Sequence, residues 1–172
     1  MENNIYFRAL EIDDYRTSIL WRKNDKIWEK LGGQHYFVSE AYEKKWVEQK
    51  ILTPNKNEII LAICLEEDNK YVGNVYLTDI DWLNRSAQLH ILIGEESVWG
   101  KGIGTKVICK IVEYAFDQRN IHRVYSHILS TNLSSMRIHE KCGFTKEGLL
   151  HDAAYKNGCY HDLVIVSKLN HK

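Results

Sequence analysis

The sequence predicts an α/β fold in which helices pack on one mixed sheet. Three observations carry this reading. Apolar runs at 59–65, 71–80 and 87–93 follow one another across short polar turns, as in a meander. The last run leads into SVWGKGIGTKV (97–107), where three glycines within five residues open a helical pattern that is itself followed by a strand, the outline of a βαβ unit. Near the end, Asn157-Gly158 joins two long runs of strand-forming residues, a strong hairpin signal.

The elements follow in order. Ile5 to Leu10 alternates as a strand. Asp13 or Asp14 is placed to cap a helix reaching about Asn24, with Ile19 and Leu20 turned inward, and Gly32-Gly33 breaks the pattern. Ser39 is an N-cap for a second helix to about Gln49, with Tyr42, Trp46 and Val47 at helical spacing. Pro54-Asn55-Lys56-Asn57 reads as a turn into the meander. In the meander's third strand, Gln88, His90 and Leu92 share one face, and Leu89, Ile91 and Ile93 the other. After the glycine loop, Ile103, Val107, Ile108, Ile111, Val112 and Ala115 form one apolar helical stripe, while Lys106, Lys110, Glu113 and Asp117 face water. A strand over 123–128 and a short helix over 133–141 follow, with Gly143 placed to end that helix. The final hairpin pairs 145–155 with 160–169. The predicted order is β-α-α-β-β-β-α-β-α-β-β, in one domain over residues 1–172.

Composition excludes several classes. The chain is 44% hydrophobic and 27% charged, with a formal net charge of zero, which is ordinary for a globular protein and argues against general nucleic-acid binding. No apolar run approaches membrane-spanning length, and the opening MENNIYFRAL lacks a basic region followed by a long apolar stretch, so a cytoplasmic protein without membrane contact is expected. The four cysteines, Cys64, Cys109, Cys142 and Cys159, form no C-x-x-C pair, and the eight histidines form no H-E-x-x-H. Reduced, partly buried thiols and no metal site are therefore expected.

Glycines at a helix start give a backbone that other residues cannot adopt, beside unpaired N–H groups and a partial positive charge. Together these suit an anion, most often phosphate. Two separated motifs then identify the chemistry. W-G-K-G-I-G at 99–104 occupies the place of the Q/R-x-x-G-x-G/A signature of the GNAT acetyltransferases. Asn132-Leu133-Ser134-Ser135, followed by His139-Glu140-Lys141-Cys142-Gly143-Phe144, resembles that superfamily's N-x-x-S … E-K-x-G-F segment. Order and spacing correspond from about Ile5 to Leu169, and the chain looks most like the branch that holds ribosomal-protein N-terminal and spermidine N-acetyltransferases.

The resemblance implies a splayed central sheet and acetyl-CoA as acetyl donor. It implies transfer to a primary amine, of a small molecule or a peptide N-terminus, by direct attack in a ternary complex. A homodimer is a further expectation. Phosphate would sit on the amides of Lys101, Gly102, Ile103, Gly104 and Thr105, after the turn at Gly100. Trp99 stands where Gln or Arg is usual; it cannot reproduce an arginine's charge, so the backbone must hold the phosphate there or Trp99 packs under the loop. The backbone of Ile91, Leu92 and Ile93 would bond the pantetheine arm. Asn132, Ser135, His139 and Lys141 are the cofactor residues of the second motif, although Asn132 is equally placed to cap its helix.

The reaction needs a neutral amine, and lysine-like amines are almost fully protonated near neutral pH. His90 is the candidate base, at a position where some family members carry a carboxylate; an ordinary sheet histidine is the alternative. Gln88 stands where related enzymes often have an acid, and an amide removes no proton. His139 takes the place of a tyrosine that is the usual candidate acid for the departing thiolate. The acceptor site would be built from the first two helices, the Gly32–Phe37 loop and the final hairpin. LGGQHYF (31–37) carries no acid, unlike the polyamine enzymes' segment; Glu29, Glu40, Asp79 and Asp81 remain as contributors, and Trp28, Tyr36 and Phe37 suggest an aromatic lining. Two other readings stay open: a non-catalytic acyl-CoA-binding module on the same fold, and a Rossmann-type enzyme. The second lacks the full G-x-G-x-x-G.

Overall fold

The computed structural model describes residues 4–33 and 35–171. Its seven strands form one sheet in the order β1-β2-β3-β4-β5-β7-β6. They are β1 (Ile5–Arg8), β2 (Ile59–Leu65), β3 (Tyr71–Asp81), β4 (Ser86–Ile93), β5 (Arg123–Leu129), β6 (Thr145–Lys156) and β7 (Cys159–Leu169). Every neighbouring pair is antiparallel except β4 and β5, the pair joined by the helical crossover. The helices are α1 (Tyr15–Arg22), α2 (Asp25–Lys30), α3 (Glu40–Leu52), α4 (Ile103–Arg119) and α5 (Leu133–Lys141).

The alternation of the strands splits the apolar residues into two cores. Ile63, Val75, Leu77, Leu89 and Val124 pack against Ile103, Val107, Ile111 and Val112 of α4, with Met136 and Ile138 of α5 at the border. On the other face Ala62 and Cys64 meet Trp21 of α1 and Ile27 of α2, with Trp46 and Ile51 of α3 alongside. The predicted stripe of α4 is buried throughout.

The amino-terminal helices depart from expectation. Asp14 makes no side-chain cap for α1. It is a buried partner of Arg8, whose Nη1 and Nη2 each donate to one of its carboxylate oxygens at 2.7 Å, and it accepts the Glu11 amide at 2.8 Å. Of the two residues expected inward, Ile19 is buried but Leu20 is 61% exposed; Ser18 takes an inward place because its hydroxyl donates to buried Glu43 at 2.6 Å. The helix ends at Arg22, and Asn24 instead caps α2, an element the sequence reading missed. Ser39 caps α3 as expected, accepting the Tyr42 amide at 3.2 Å, but Tyr42 itself is exposed.

The thiol reading is also corrected. Cys109 of α4 and Cys142 at the end of α5 are disulfide-bonded, their Cα atoms 5.5 Å apart, leaving Cys64 and Cys159 free. The bond forms because α4 and α5 lie side by side on the sheet, a proximity invisible in residues 33 positions apart. Among the described residues no group of His, Cys, Asp or Glu could hold a metal ion, and no helix is long and apolar enough to cross a membrane.

Candidate active site

β4 and β5 pair only from Ser86 to Gln88, opposite Arg123 to Tyr125. Beyond Gln88 they diverge, and the Ser126 hydroxyl, 3.0 Å from the Leu89 carbonyl, spans the start of the gap. A groove of about 530 Å³ lies along the far end of β4, from Ile91 onward, and runs beneath the glycine loop to α5. Ile91, Leu92 and Ile93 form one wall. Trp99, Gly100 and residues 102–105 form the rim, and Asn132, Ser135 and Lys141 the far side. Most of the residues assigned to the cofactor are thus brought together.

The loop explains its glycines. Gly100 and Gly102 have φ of 75° and 80°, which L side chains rarely adopt. Gly104 serves proximity instead: a Cβ there would lie 3.1 Å from Ile138 Cδ1 on α5. Among the described residues, the N–H groups of Gly102, Ile103, Gly104 and Thr105 meet no protein acceptor, so they face the groove at the positive end of α4. Lys101 differs from expectation, since its amide donates to the Val98 carbonyl at 3.4 Å and its side chain does not line the groove. Trp99 packs under the loop and donates its Nε1–H to the Ile93 carbonyl at 3.0 Å.

Asn132 fills the capping role, accepting the Ser135 amide at 3.0 Å and the Ser134 hydroxyl at 2.8 Å. Its Nδ2 donates to the Lys30 carbonyl at 2.9 Å, tying α5 to the end of α2. Among the lining residues that sequence reasoning did not assign are Lys30 and Leu31, because α2 was missed, and Arg137, which lies one helical turn before Lys141 on the same face. Among the described residues three cations and no carboxylate line this groove, a composition suited to the phosphates of a nucleotide carrier.

The two histidines are placed very differently. His139 is buried behind the groove wall, edge-on to Phe144 with ring centroids 4.9 Å apart. Its Nδ1 lies 2.8 Å from the Ser135 carbonyl and so carries the proton; Nε2 lies 3.0 Å from the Ser126 hydroxyl. Burial pushes this imidazole below its ordinary pKa, against the opposing pull of the Ser135 carbonyl. A neutral ring with both nitrogens engaged is a poor proton donor, so the geometry does not favour the acid role expected of it.

His90 sits on the open face of β4, opposite Tyr76 of β3. Partial desolvation by its surroundings lowers its pKa; Asp79 opposes this and His127 adds to it. Its Nε2 lies 3.0 Å from the Thr78 hydroxyl, which reaches Asp79 Oδ2 at 3.4 Å. Asp79 takes a left-handed conformation, φ 49°, within the irregularity between Thr78 and Asp81. With Thr78 donating to Asp79, Nε2 is the protonated nitrogen and Nδ1 keeps a lone pair, with no partner among the described residues.

A second cavity, of about 450 Å³, lies between α2, the following loop and the last hairpin; the loop and hairpin are those expected to build an acceptor site, while α2 stands in place of the two helices expected there. Asp25, Glu29, Trp28, His35 and Tyr155 line it, so Glu29 and Trp28 are placed there while Tyr36 and Phe37 are exposed. Gln34, in the same loop, lies outside the described residues. Lys156 forms the floor, 8% exposed, its ammonium donating to the carbonyls of Trp28, Leu31 and Gly33. Burial lowers its pKa while Glu29 raises it.

Comparison with known proteins agrees with this geometry. Residues 4–145 match the family "Acetyltransferase (GNAT) domain". The chain is 30% identical to a probable N-acetyltransferase, YjcK, of Bacillus subtilis, over 96% of this chain and 94% of the relative. It is 28% identical to the spermidine N(1)-acetyltransferase of Vibrio cholerae, over 95% and 91% of the two chains. The crystal structure of spermidine N-acetyltransferase from Vibrio cholerae with CoA and spermine superposes with a TM-score of 0.87 at 27% identity, covering 96% of this chain and 95% of that one. The split between β4 and β5, the open amides at the head of α4 and the basic groove beneath them thus belong to an acetyl-CoA-dependent enzyme: the chain is a member of the GNAT family of N-acetyltransferases.

Proposed function

We propose that this enzyme acetylates the primary amine of a small molecule by direct attack on acetyl-CoA, with both substrates bound together and His90 receiving the amine's proton. The observation that carries the reading is the end of β4–β5 pairing at Gln88: His90 follows on β4, and the next three residues of the same strand, Ile91 to Ile93, wall the cofactor groove. Apolar walls and backbone groups at Ile91 to Ile93 hold the pantetheine arm, and the amides of Gly102 to Thr105 hold the diphosphate. On His90, the Asp79–Thr78 link keeps the proton on Nε2, which leaves Nδ1 to accept one from the attacking nitrogen, directly or through one water. The nitrogen bonds to the acyl carbon, the thioester C–S bond breaks, and the thiolate takes a proton from solvent.

The acceptor is a cationic small amine. Asp25 and Glu29, with the rings of Trp28 and His35 stacked 5.4 Å apart, support recognition of a positively charged group near the candidate acceptor side. The relatives named for spermidine support the same class. The test is release of free CoA thiol with a panel of aliphatic diamines and polyamines, aromatic amines and peptides with free N-termini. At least one small amine is expected to turn over, and His90→Gln to lower kcat by about 100-fold or more while the KM for acetyl-CoA moves little. No thiol release with any acceptor, or an unchanged kcat in His90→Gln, overturns the reading.

A further inference from the structure

Position 99, where the family resemblance leads one to expect Gln or Arg, carries an uncharged indole. The positive charge nevertheless reaches this corner of the groove from another element. Lys30, the last residue of α2, extends its ammonium over the Trp99 ring, 4.1 Å from the centroid. Both side chains line the cofactor groove, beside Gly100 and Gly102. An ammonium over an indole face is held by the ring's quadrupole, which fixes its position without neutralising its charge. Among the described residues no carboxylate lines the groove to quench it.

The end of α2 is anchored for this purpose. Asn132 of α5 donates to the Lys30 carbonyl at 2.9 Å. Lys156 of β6 donates to the carbonyls of Trp28, Leu31 and Gly33, on both sides of Lys30. Two distant elements therefore fix the backbone from which Lys30 hangs, and Trp99 fixes its tip.

We propose that Lys30 is a diphosphate-binding residue of this enzyme, with Trp99 as its seat: α2 supplies the cation that position 99 lacks and that Lys101, turned out of the groove, does not provide. Trp99 then has two tasks, packing beneath the loop and placing a charge above it.

Binding measurements by calorimetry test this apart from turnover, using CoA, 3′-dephospho-CoA and pantetheine as ligands. Lys30→Met keeps the aliphatic stem and removes the charge. It is expected to weaken CoA and 3′-dephospho-CoA alike, by about 5- to 20-fold, to make CoA binding less sensitive to salt, and to leave pantetheine within twofold. Restoring charge at the loop, in Lys30→Met/Trp99→Arg, is expected to recover most of the loss. Three results would overturn the proposal: CoA affinity unchanged in Lys30→Met; an equal loss for pantetheine, which would make the effect one of packing; or a loss for CoA but not for 3′-dephospho-CoA, which would move Lys30 to the 3′-phosphate. Thermal midpoints of all variants check that each is folded.

Discussion

His139 offers the sharpest test of the physical reasoning, because its predicted behaviour opposes the role its sequence position suggests. In the fold it is 2% exposed and held below its ordinary pKa by burial, whereas in the unfolded chain it titrates near pH 6.5. The sign follows directly. Between the folded and unfolded pKa values the unfolded state binds more protons, so stability rises with pH across that window. The contribution is complete above about pH 6.5 and is lost as pH falls through the window, at about 1.4 kcal/mol per pH unit. For 172 residues, with an unfolding entropy of about 2.1 cal/mol/K per residue, this is a drop in Tm of roughly 4 °C per unit. His139→Phe removes the titration, fills a similar volume against Phe144, and frees the Ser126 hydroxyl to donate to the Leu89 carbonyl 3.0 Å away. The variant is therefore expected to lie within about 1.5 kcal/mol of the parent at pH 8 and to show a shallower loss of stability below pH 6.5. Urea unfolding between pH 5 and 8 measures both. Parallel curves for parent and variant would refute the assignment of a buried neutral imidazole. A kcat loss beyond 100-fold in a stable His139→Phe would restore the acid role.

Three further perturbations probe the frame around the site. The Cys109–Cys142 bond closes a loop of 33 residues, so its loss in Cys109→Ser is expected to cost about 3 to 4 kcal/mol, on the order of 10 °C in Tm; titration of the unfolded, unreduced protein should find two free thiols rather than four. In Gly94→Ala the new Cβ would overlap the buried Trp21 indole, and destabilisation by about 1 to 3 kcal/mol is expected in chemical denaturation. Lys156→Met leaves the carbonyls of Trp28, Leu31 and Gly33 without their shared donor; a stability loss of about 1 to 3 kcal/mol and a raised KM for acetyl-CoA are expected, since α2 carries Lys30.

Much of the architecture was legible because it is written at regular spacing. The stripe of α4, the three meander strands, the Asn157-Gly158 hairpin and the helix over 133–141 all repeat at the helical or strand period, and burial on one face enforces that repeat. What failed to show depends on contacts distant in sequence. α2 spans six residues with one buried side chain, and its end is held by Lys156 more than by any pattern of its own. Ser18 turns inward because Glu43, 25 residues away, is there to receive it. Asp14 serves Arg8 and the Glu11 amide rather than the start of α1, since a bidentate pair next to the core outweighs a solvated cap. In the site, the glycine loop announced itself through residues only glycine can replace. The ring orientation of His139, the basic tip of Lys30 and the Thr78–Asp79 support of His90 are set by tertiary placement and leave no local trace.

The division of the apolar residues between the two sheet faces carries a consequence for how such an enzyme can change. Among the described residues Trp99 is the one side chain packed against both cores. Changes in α1 and α3 can thus leave the nucleotide grip on α4 and α5 in place, provided the indole and the Lys30 ammonium above it keep their positions. The sheet works as a partition between a handle for the nucleotide and a tool for the amine, and position 99 is the rivet that passes through both.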